Sequence, residues 1–376
     1  AGSARASAAL EDLHGAAGNW DRVVEILIQR GDHTALPDGR IEILRRVARI
    51  YEVETSAPEL AFVALQAAFR EDYTNQAVTE DLERIATATS KWADLLTEYT
   101  QTAHGLTEPK SAANLWTKIG RWYAELAQLE YATTSLQQAL TLVPEHPGAL
   151  AVLATVHRKA GRWPDVTQTL ARQAEAETEP RDKVRVLLEL AEVQESQTGE
   201  HQQAINTYRK ALAIDGQCMG ALESLDRLYR RIQAWDELVG VVRGKADVMQ
   251  AHGAPVAEII DLRLLVGELW EERLLDVARA IEAFKETLAL DPREARALRA
   301  LERLYDKAGR TEEYIDVLDQ QLASAQTDDE RISLHERLAA TWEERFSRPD
   351  RAAEALEKVL AIDDRRDSAY RSLERL

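Results

Sequence analysis

The chain has 376 residues, of which 30% are charged and 45% hydrophobic, and it contains only 17 glycines and 10 prolines. This mixture favours helix and argues against an all-β fold, collagen or a disordered chain. The net charge of −18 disfavours nucleic acid and anionic membrane surfaces as general partners. No apolar stretch approaches the roughly 20 residues that a membrane span needs, so membrane insertion is not expected.

A recurring leucine divides the chain into units of about 72 residues. It stands at Leu10, Leu82, Leu153, Leu225, Leu301 and Leu373, with spacings of 72, 71, 72, 76 and 72 residues. Ten residues after the first four of these leucines come Trp20, Trp92, Trp163 and Trp235. The predicted units are residues 1–73, 74–145, 146–216, 217–292 and 293–364, and residues 365–376 begin a sixth.

The local pattern inside each unit predicts four helices in two hairpins. Leu298, Leu301 and Leu304 recur every three residues and form one apolar stripe. Gly309 can end that helix, and Tyr314 continues the pattern on the next one. Five units predict roughly twenty helices. In the fourth unit, four extra residues are expected in a loop at 250–255.

Small residues recur at two places in the second hairpin of every unit. The first set is Ala48, Gly120, Ala191, Gly267 and Ala339, and the second is Ala61, Ala132, Ala204, Ala280 and Ala352. Antiparallel helices approach closely only where their side chains are small, so this pattern predicts the same hairpin geometry in each unit. Because a single hairpin cannot bury its apolar face, the hairpins are expected to stack into a solenoid.

The segment from Trp116 to Pro144 resembles the tetratricopeptide repeat, whose pattern is W-x2-L-G-x2-Y, then A-x3-F, then P. Its matching residues are Trp116, Ile119, Gly120, Tyr123, Ala132, Leu136 and Pro144. The first hairpins match less well, because an acid often replaces the small residue that the family prefers: Glu11, Glu83, Asp226 and Glu302. The chain is similar to the Arg/Glu/Ala-rich arrays of large bacterial scaffold proteins. The resemblance implies an all-α, right-handed superhelical solenoid of about ten hairpins, with a concave face that binds peptides or proteins.

The sequence contains no arrangement typical of catalysis, cofactor binding or metal binding. No two of the eight histidines stand four residues apart, and His335-Glu336 is followed by Ala339 where a zinc-protease motif requires a second histidine. The single cysteine, Cys218, has no histidine nearby in sequence to activate it. We therefore predict no catalytic residue, no metal, no cofactor and no enzymatic activity.

Charged side chains on the first helix of each hairpin are the main candidates for binding. The predicted partner-binding residues are Arg45, Arg46, Arg49, Lys118, Arg121, Trp122, Arg227, Arg230 and Arg303. Two interpretations remain open. Rows of acidic and basic side chains on neighbouring first helices pair with each other, or these rows line a groove for a partner. Arginines one turn apart can bind carboxylates through two-point hydrogen bonds, so Arg45 and Arg49 favour an acidic partner segment.

The sequence favours a non-enzymatic scaffold that binds a protein or peptide along the concave face. The alternatives are a structural spacer that self-associates through uncapped ends, and a regulatory arm of a larger multidomain protein. The first residues, Ala-Gly-Ser without Met, suggest a piece of a longer chain. A cytoplasmic location is the expectation, since no signal peptide is visible.

Overall fold

The computed structural model describes the backbone of residues 2–376 and the side chains of residues 6–376. Within this range the fold is all-α, as predicted, and consists of 21 α-helices, one of which continues into a π-helical turn. The helices form two compact halves, which divide between Glu179 and Pro180. None of the described helices combines the length and the apolarity needed to cross a membrane.

The N-terminal half contains five consecutive helix hairpins. Its helices are α1 (Gly2–Ala16), α2 (Trp20–Asp32), α3 (Pro37–Val53), α4 (Pro58–Glu71), α5 (Gln76–Thr89), α6 (Trp92–Gly105), α7 (Pro109–Glu125), α8 (Leu129–Leu142), α9 (Pro147–Lys159) and α10 (Trp163–Ala176). Each helix packs on the next one along the chain. The core lies between them, where Phe62, Phe69 and Tyr99 are fully buried.

The C-terminal half repeats this order. Its helices are α11 (Pro180–Ser196), α12 (His201–Ile214), α13 (Met219–Ile232), α14 (Trp235–Ala251), α15 (Val256–Glu268) with the π-helical turn Leu269–Arg273, α16 (Val277–Leu290), α17 (Ala295–Ala308), α18 (Thr311–Ser324), α19 (Asp328–Glu344), α20 (Pro349–Ile362) and α21 (Asp367–Arg375). The last helix, α21, lies within residues 365–376, where the sequence predicts that a sixth unit begins.

The repeated residues mark helix ends. The four tryptophans of the predicted series are the first residues of α2, α6, α10 and α14, where they are half-buried. Proline is the first residue of several other helices, such as Pro37 in α3 and Pro147 in α9, because its fixed φ suits that position and its missing N–H is not needed there. Gly309 ends α17 with a φ of +66°.

The small residues allow the two helices of a hairpin to touch. A Cβ added to Gly120 would lie 2.5 Å from Cγ of Leu136, and one added to Gly267 would lie 2.5 Å from Cε1 of Phe284. Both glycines lie on the first helix of a second hairpin and face its partner helix. The predicted close approach of these helices is thus present in the structure.

The extra length of the fourth unit lies mainly in a helix and not, as expected, in a loop. Helix α14 has 17 residues, whereas α6, α10 and α18 each have 14. Met249, Gln250 and Ala251 are good helix formers, so the helix continues through them. It ends before Gly253, whose φ of +71° breaks the helical path.

Candidate protein-interaction face

Within three of the units, a carboxylate on the first hairpin bonds to a cation on the first helix of the second hairpin. These intra-unit pairs are Glu11–Arg46 at 2.6 Å, Glu83–Lys118 at 2.8 Å and Glu302–Arg337. The carboxylates are the acids that replace the family's small residue, and their side chains are largely buried. In the fourth unit Asp226 instead binds Arg230 and Lys245, at 2.5 and 2.9 Å.

Glu83 is the centre of a polar and aromatic cluster between α5, α6 and α7. Besides Lys118, it accepts hydrogen bonds from Nε1 of Trp122 at 2.9 Å and from the hydroxyl of Tyr99 at 3.2 Å. The ring of Trp122 packs on Trp92 with centroids 4.2 Å apart. Burial, with the Glu83 carboxylate beside it, raises the pKa of the Tyr99 hydroxyl. Glu83 therefore fixes the positions of both Lys118 and Trp122.

A second set of ion pairs joins the first helices of neighbouring units at four junctions. These inter-unit pairs are Glu52–Arg84, Glu195–Arg227, Glu271–Arg303 and Glu343–Arg375. Glu195 and Glu271 bind their arginines through both carboxylate oxygens, with distances of 2.7 to 3.1 Å. Hydrogen bonding to these carboxylates raises the pKa values of Arg227 and Arg303. In the same way, the hydrogen bond that Arg84 donates to Glu52 lowers the pKa of the Glu52 carboxyl group.

Among the described residues, the junction between α7 and α9 has no ion pair at the place that the inter-unit pairs occupy elsewhere. Ala124 and Thr155 stand where the other junctions have glutamate and arginine, and α7 and α9 pack directly against each other. Lys159 donates to the carbonyl oxygen of Ala124 at 3.0 Å. His146 bridges the same helices with a 2.7 Å hydrogen bond from Nε2 to Oδ1 of Asn114. Two hydrogen bonds, one of them from the Lys159 ammonium to a backbone carbonyl oxygen, thus take the place of the ion pair at this junction.

Most of the predicted partner-binding cations have an internal ion-pair partner. Arg45 binds Asp81 at 2.7 Å, and the pairs of Arg46, Lys118, Arg227, Arg230 and Arg303 are described above. Their arrangement matches the interpretation in which acidic and basic side chains of the first helices pair with each other. Binding of an external partner by these residues stays a prediction.

Arg49 and Arg121 differ from the other predicted residues. They are exposed, they occupy the same place in units one and two, and they make no ion pair with any residue that the structure describes. Arg49 lines two adjacent cavities. One is about 290 Å³ and lies between α3 and α5, beside Arg45 and Arg84. The other is about 470 Å³ and is also lined by Trp20 of α2.

The sequence does not identify the acids as partners of these cations, because Glu11, Glu83 and Glu302 stand out in it only as departures from the family pattern. The sequence does contain a signal for this pairing, because its spacings are constant. The partners of each intra-unit pair are 35 residues apart, and those of each inter-unit pair are 32 residues apart. Among the described side chains, no cluster of three or more His, Cys, Asp or Glu could hold a metal ion.

The fold and its stacked first helices define a helical-repeat protein. Within that class, residues 186–218 and 297–332 match the family model of the tetratricopeptide repeat, which confirms the resemblance in these two segments. They correspond to the second hairpin of unit three and the first hairpin of unit five. Tetratricopeptide repeats generally mediate protein–protein interactions. No curated protein matches the sequence.

Several solved structures of helical repeats are similar to this chain. A tetratricopeptide repeat protein from Parabacteroides merdae is 15% identical, with 70% of this chain and 97% of that chain covered and a TM-score of 0.32. YrrB, a TPR protein with an unusual peptide-binding site, is 14% identical over 54% of this chain and 96% of its own, with a TM-score of 0.33. The structure of Naa15/Naa10 bound to HypK-THB is 13% identical over 100% of this chain and 60% of that chain, with a TM-score of 0.41.

Proposed function

We propose that the chain is a non-enzymatic scaffold that binds an acidic segment of a partner protein along the face formed by its first helices. The observation that supports this most directly is the pair Arg49 and Arg121. These two exposed arginines recur at the same place in successive units and make no ion pair with described residues. In a chain of charge −18, such cations are available for carboxylates of a partner.

The spacing of the two arginines suggests the shape of the segment. Arg49 is on α3 and Arg121 is on α7, with α5 between them in the order of first helices. Two steps of roughly 10 Å, the ordinary axis spacing of neighbouring helices, separate them by about 20 Å. An extended peptide covers that distance in about six residues. The proposed ligand therefore carries two acidic residues about six positions apart.

Binding of labelled peptides, measured by fluorescence anisotropy, tests this proposal. The peptides carry two glutamates placed two, four, six or eight positions apart. We expect the six-residue spacing to bind best, and the double variant Arg49→Glu, Arg121→Glu to weaken that binding about tenfold, because two attractive contacts become repulsive. Affinity should also fall as salt is added.

The matched control is the variant Arg181→Glu, Arg231→Glu. It changes the net charge equally, at two exposed arginines of the C-terminal half. If both double variants lose affinity equally, binding depends only on net charge and the proposed face is wrong. Undiminished binding by the Arg49→Glu, Arg121→Glu variant would also contradict the proposal.

A further inference from the structure

The larger of the two cavities beside Arg49 occupies a place that a side chain fills in the next unit. Ile50 of α3 and Trp122 of α7 stand at the same place in units one and two, 72 residues apart. In unit two the Trp122 ring packs on Trp92, with centroids 4.2 Å apart. In unit one Ile50 and Trp20 line a cavity of about 470 Å³ instead. The smaller side chain of Ile50 therefore leaves empty the space that an indole fills in unit two.

In other units, the side chain over this tryptophan comes from the second hairpin of the same unit. Helix α4 of the preceding hairpin also packs on α5 in unit two, yet the ring that lies on Trp92 is carried by α7. In unit four, Arg273 in the π-helical turn after α15 lies over the Trp235 ring, 5.2 Å from its centroid. Among the described side chains, no ring or cation lies over Trp20. The cavity in unit one thus follows from the size of Ile50 and not from what precedes α1.

A buried carboxylate oxygen at this cavity lacks a hydrogen bond. Glu11, the counterpart of Glu83, lines the cavity and is 3% exposed. Its Oε1 pairs with the charge of Arg46 at 2.6 Å, but no described residue donates a hydrogen bond to it with suitable geometry. In unit two, Oε1 of Glu83 accepts the indole N–H of Trp122 at 2.9 Å. Because a buried acceptor without a hydrogen bond is unfavourable, an indole N–H in the cavity would supply what Glu11 lacks.

The charges around the cavity favour a neutral side chain that stands next to an acidic one. Asp12 and Glu54 line the cavity together with Glu11, so a carboxylate is disfavoured inside it. Arg49 lines this cavity and the adjacent one of about 290 Å³. A segment whose carboxylate binds Arg49 can therefore place a neighbouring side chain in the larger cavity. Since a cavity of about 150 Å³ holds benzene, the space is sufficient for an indole.

We propose that this cavity binds a tryptophan side chain of the partner segment, which packs on Trp20 and donates its indole N–H to Glu11. The proposal rests on the proposed function, because it places the tryptophan next to the acidic residue that binds Arg49. A phenylalanine would pack on Trp20 but has no N–H for Glu11. Binding of indole alone does not require the acidic residue, so the cavity and the acidic ligand can be tested separately.

Fluorescence anisotropy with labelled peptides that carry two glutamates six positions apart tests the proposal. A variable residue follows the first glutamate in one series and precedes the second glutamate in the other. This residue is alanine, phenylalanine, tryptophan or 1-methyltryptophan, which lacks the indole N–H. In one of the two series we expect tryptophan to bind about tenfold more tightly than alanine, because its ring is buried. We expect 1-methyltryptophan to lose about fivefold of that gain, because it cannot donate to Glu11.

The variant Ile50→Trp fills the cavity from α3, as Trp122 fills the equivalent space from α7. It should bind the alanine peptides as the unmodified chain does, but lose the gain from tryptophan. The matched control is Val63→Trp, which adds a tryptophan at an exposed position of α4 outside the cavity and should keep the gain. Ligand-observed NMR with free indole should likewise detect binding to the unmodified chain and to Val63→Trp, but not to Ile50→Trp.

The outcomes separate this proposal from the acidic ligand. If the acidic peptides bind but tryptophan gives no gain in either series, the cavity assignment is wrong and the proposed function stands. If the alanine peptides do not bind but indole binds and Ile50→Trp abolishes its binding, the acidic ligand is wrong and the cavity assignment stands. Full retention of the tryptophan gain by Ile50→Trp, or no indole binding to the unmodified chain, would overturn the proposal. So would concentration-dependent dimers, seen by light scattering, that Ile50→Trp abolishes, because the occupant would then be a second copy of the chain.

Discussion

At the scale of single residues, the glycines of the second hairpins illustrate how closely their helices pack. Gly267 contacts the ring of Phe284, and Gly120 contacts Leu136, at distances that leave no room for a methyl group. A glycine in a helix interior normally costs about 1 kcal/mol relative to alanine. Here the packing requirement outweighs that cost.

We expect Gly267→Ala to destabilise the C-terminal half by about 1–3 kcal/mol, because the overpacked Phe284 ring must move. Gly240→Ala is the matched control. Gly240 lies inside α14 with nothing within 4 Å of its added Cβ, so the change should stabilise by up to about 1 kcal/mol. Urea unfolding followed by circular dichroism measures both changes. Equal effects of the two substitutions would contradict the close approach of α15 and α16.

At the scale of helices, the start of α9 depends on a neutral histidine. The backbone N–H of Ala149 donates to Nδ1 of His146 at 3.1 Å, which caps the helix. Since Nδ1 accepts this bond, the ring proton is on Nε2 and is donated to Asn114. Burial, with Lys110 nearby, lowers the pKa of His146 below its ordinary value of 6.5. A second proton would remove the acceptor that caps α9.

The resulting pH dependence has a definite sign. Because the pKa of His146 is lower in the folded chain than in the unfolded chain, its contribution to stability is complete above pH 6.5 and decreases as the pH falls below that value. We expect the melting temperature to fall between pH 7 and pH 5, and to fall less in His146→Asn. Asparagine keeps a capping acceptor and does not titrate. In the unmodified chain, a second proton on His146 removes the cap, and loss of a cap costs about 1 kcal/mol.

Burial also lowers the pKa values of His157 and His335, so part of the acid sensitivity should remain in His146→Asn. The substitution His33→Asn provides a control for removal of an exposed histidine. An unchanged pH slope in His146→Asn, measured by thermal unfolding in buffers of constant ionic strength, would contradict the role assigned to the cap.

At the scale of the whole molecule, the two kinds of ion pair explain why the repeat contains two hairpins. Intra-unit and inter-unit pairs use different turns of the first helices, so first and second hairpins are not interchangeable. A shift by one hairpin would place Glu195 opposite Glu268 instead of Arg227. The pKa of Glu268 is already raised, by burial and by the nearby Glu272. Because each exposed pair contributes only about 0–1 kcal/mol, these pairs mainly determine which helices pack together.

Two deletions in the C-terminal half test this register. Removing residues 225–300 takes out one whole unit and brings Glu195 to Arg303. Removing residues 226–266 takes out one hairpin and brings Glu195 to Glu268. We expect the whole-unit deletion to keep the higher melting temperature, and Glu268→Arg to stabilise only the hairpin deletion, by about 1 kcal/mol. Equal melting temperatures, with no effect of Glu268→Arg, would show that the charges do not determine register.

The sequence alone was sufficient to predict the all-α fold and the pairing of helices into hairpins, whereas the 72-residue unit stays a prediction. Helical periodicity, helix-ending residues such as Gly309 and the small residues such as Gly267 are local features, so they can be read without the tertiary structure. The tryptophan series correctly marked the starts of four second helices. Gly253 predicts a loop for the extra residues of unit four, but the helix formers before it extend α14 to Ala251 instead.

Only the tertiary structure decided which charges are already paired. Arg45 and its partner Asp81 are 36 residues apart and meet only because α3 and α5 are neighbours in the stack. The same packing leaves Arg49 and Arg121 without an ion pair among the described residues. Residue type and spacing therefore determine the helices and their hairpins. Whether a side chain is paired, buried or available to a partner depends on which helix lies beside it.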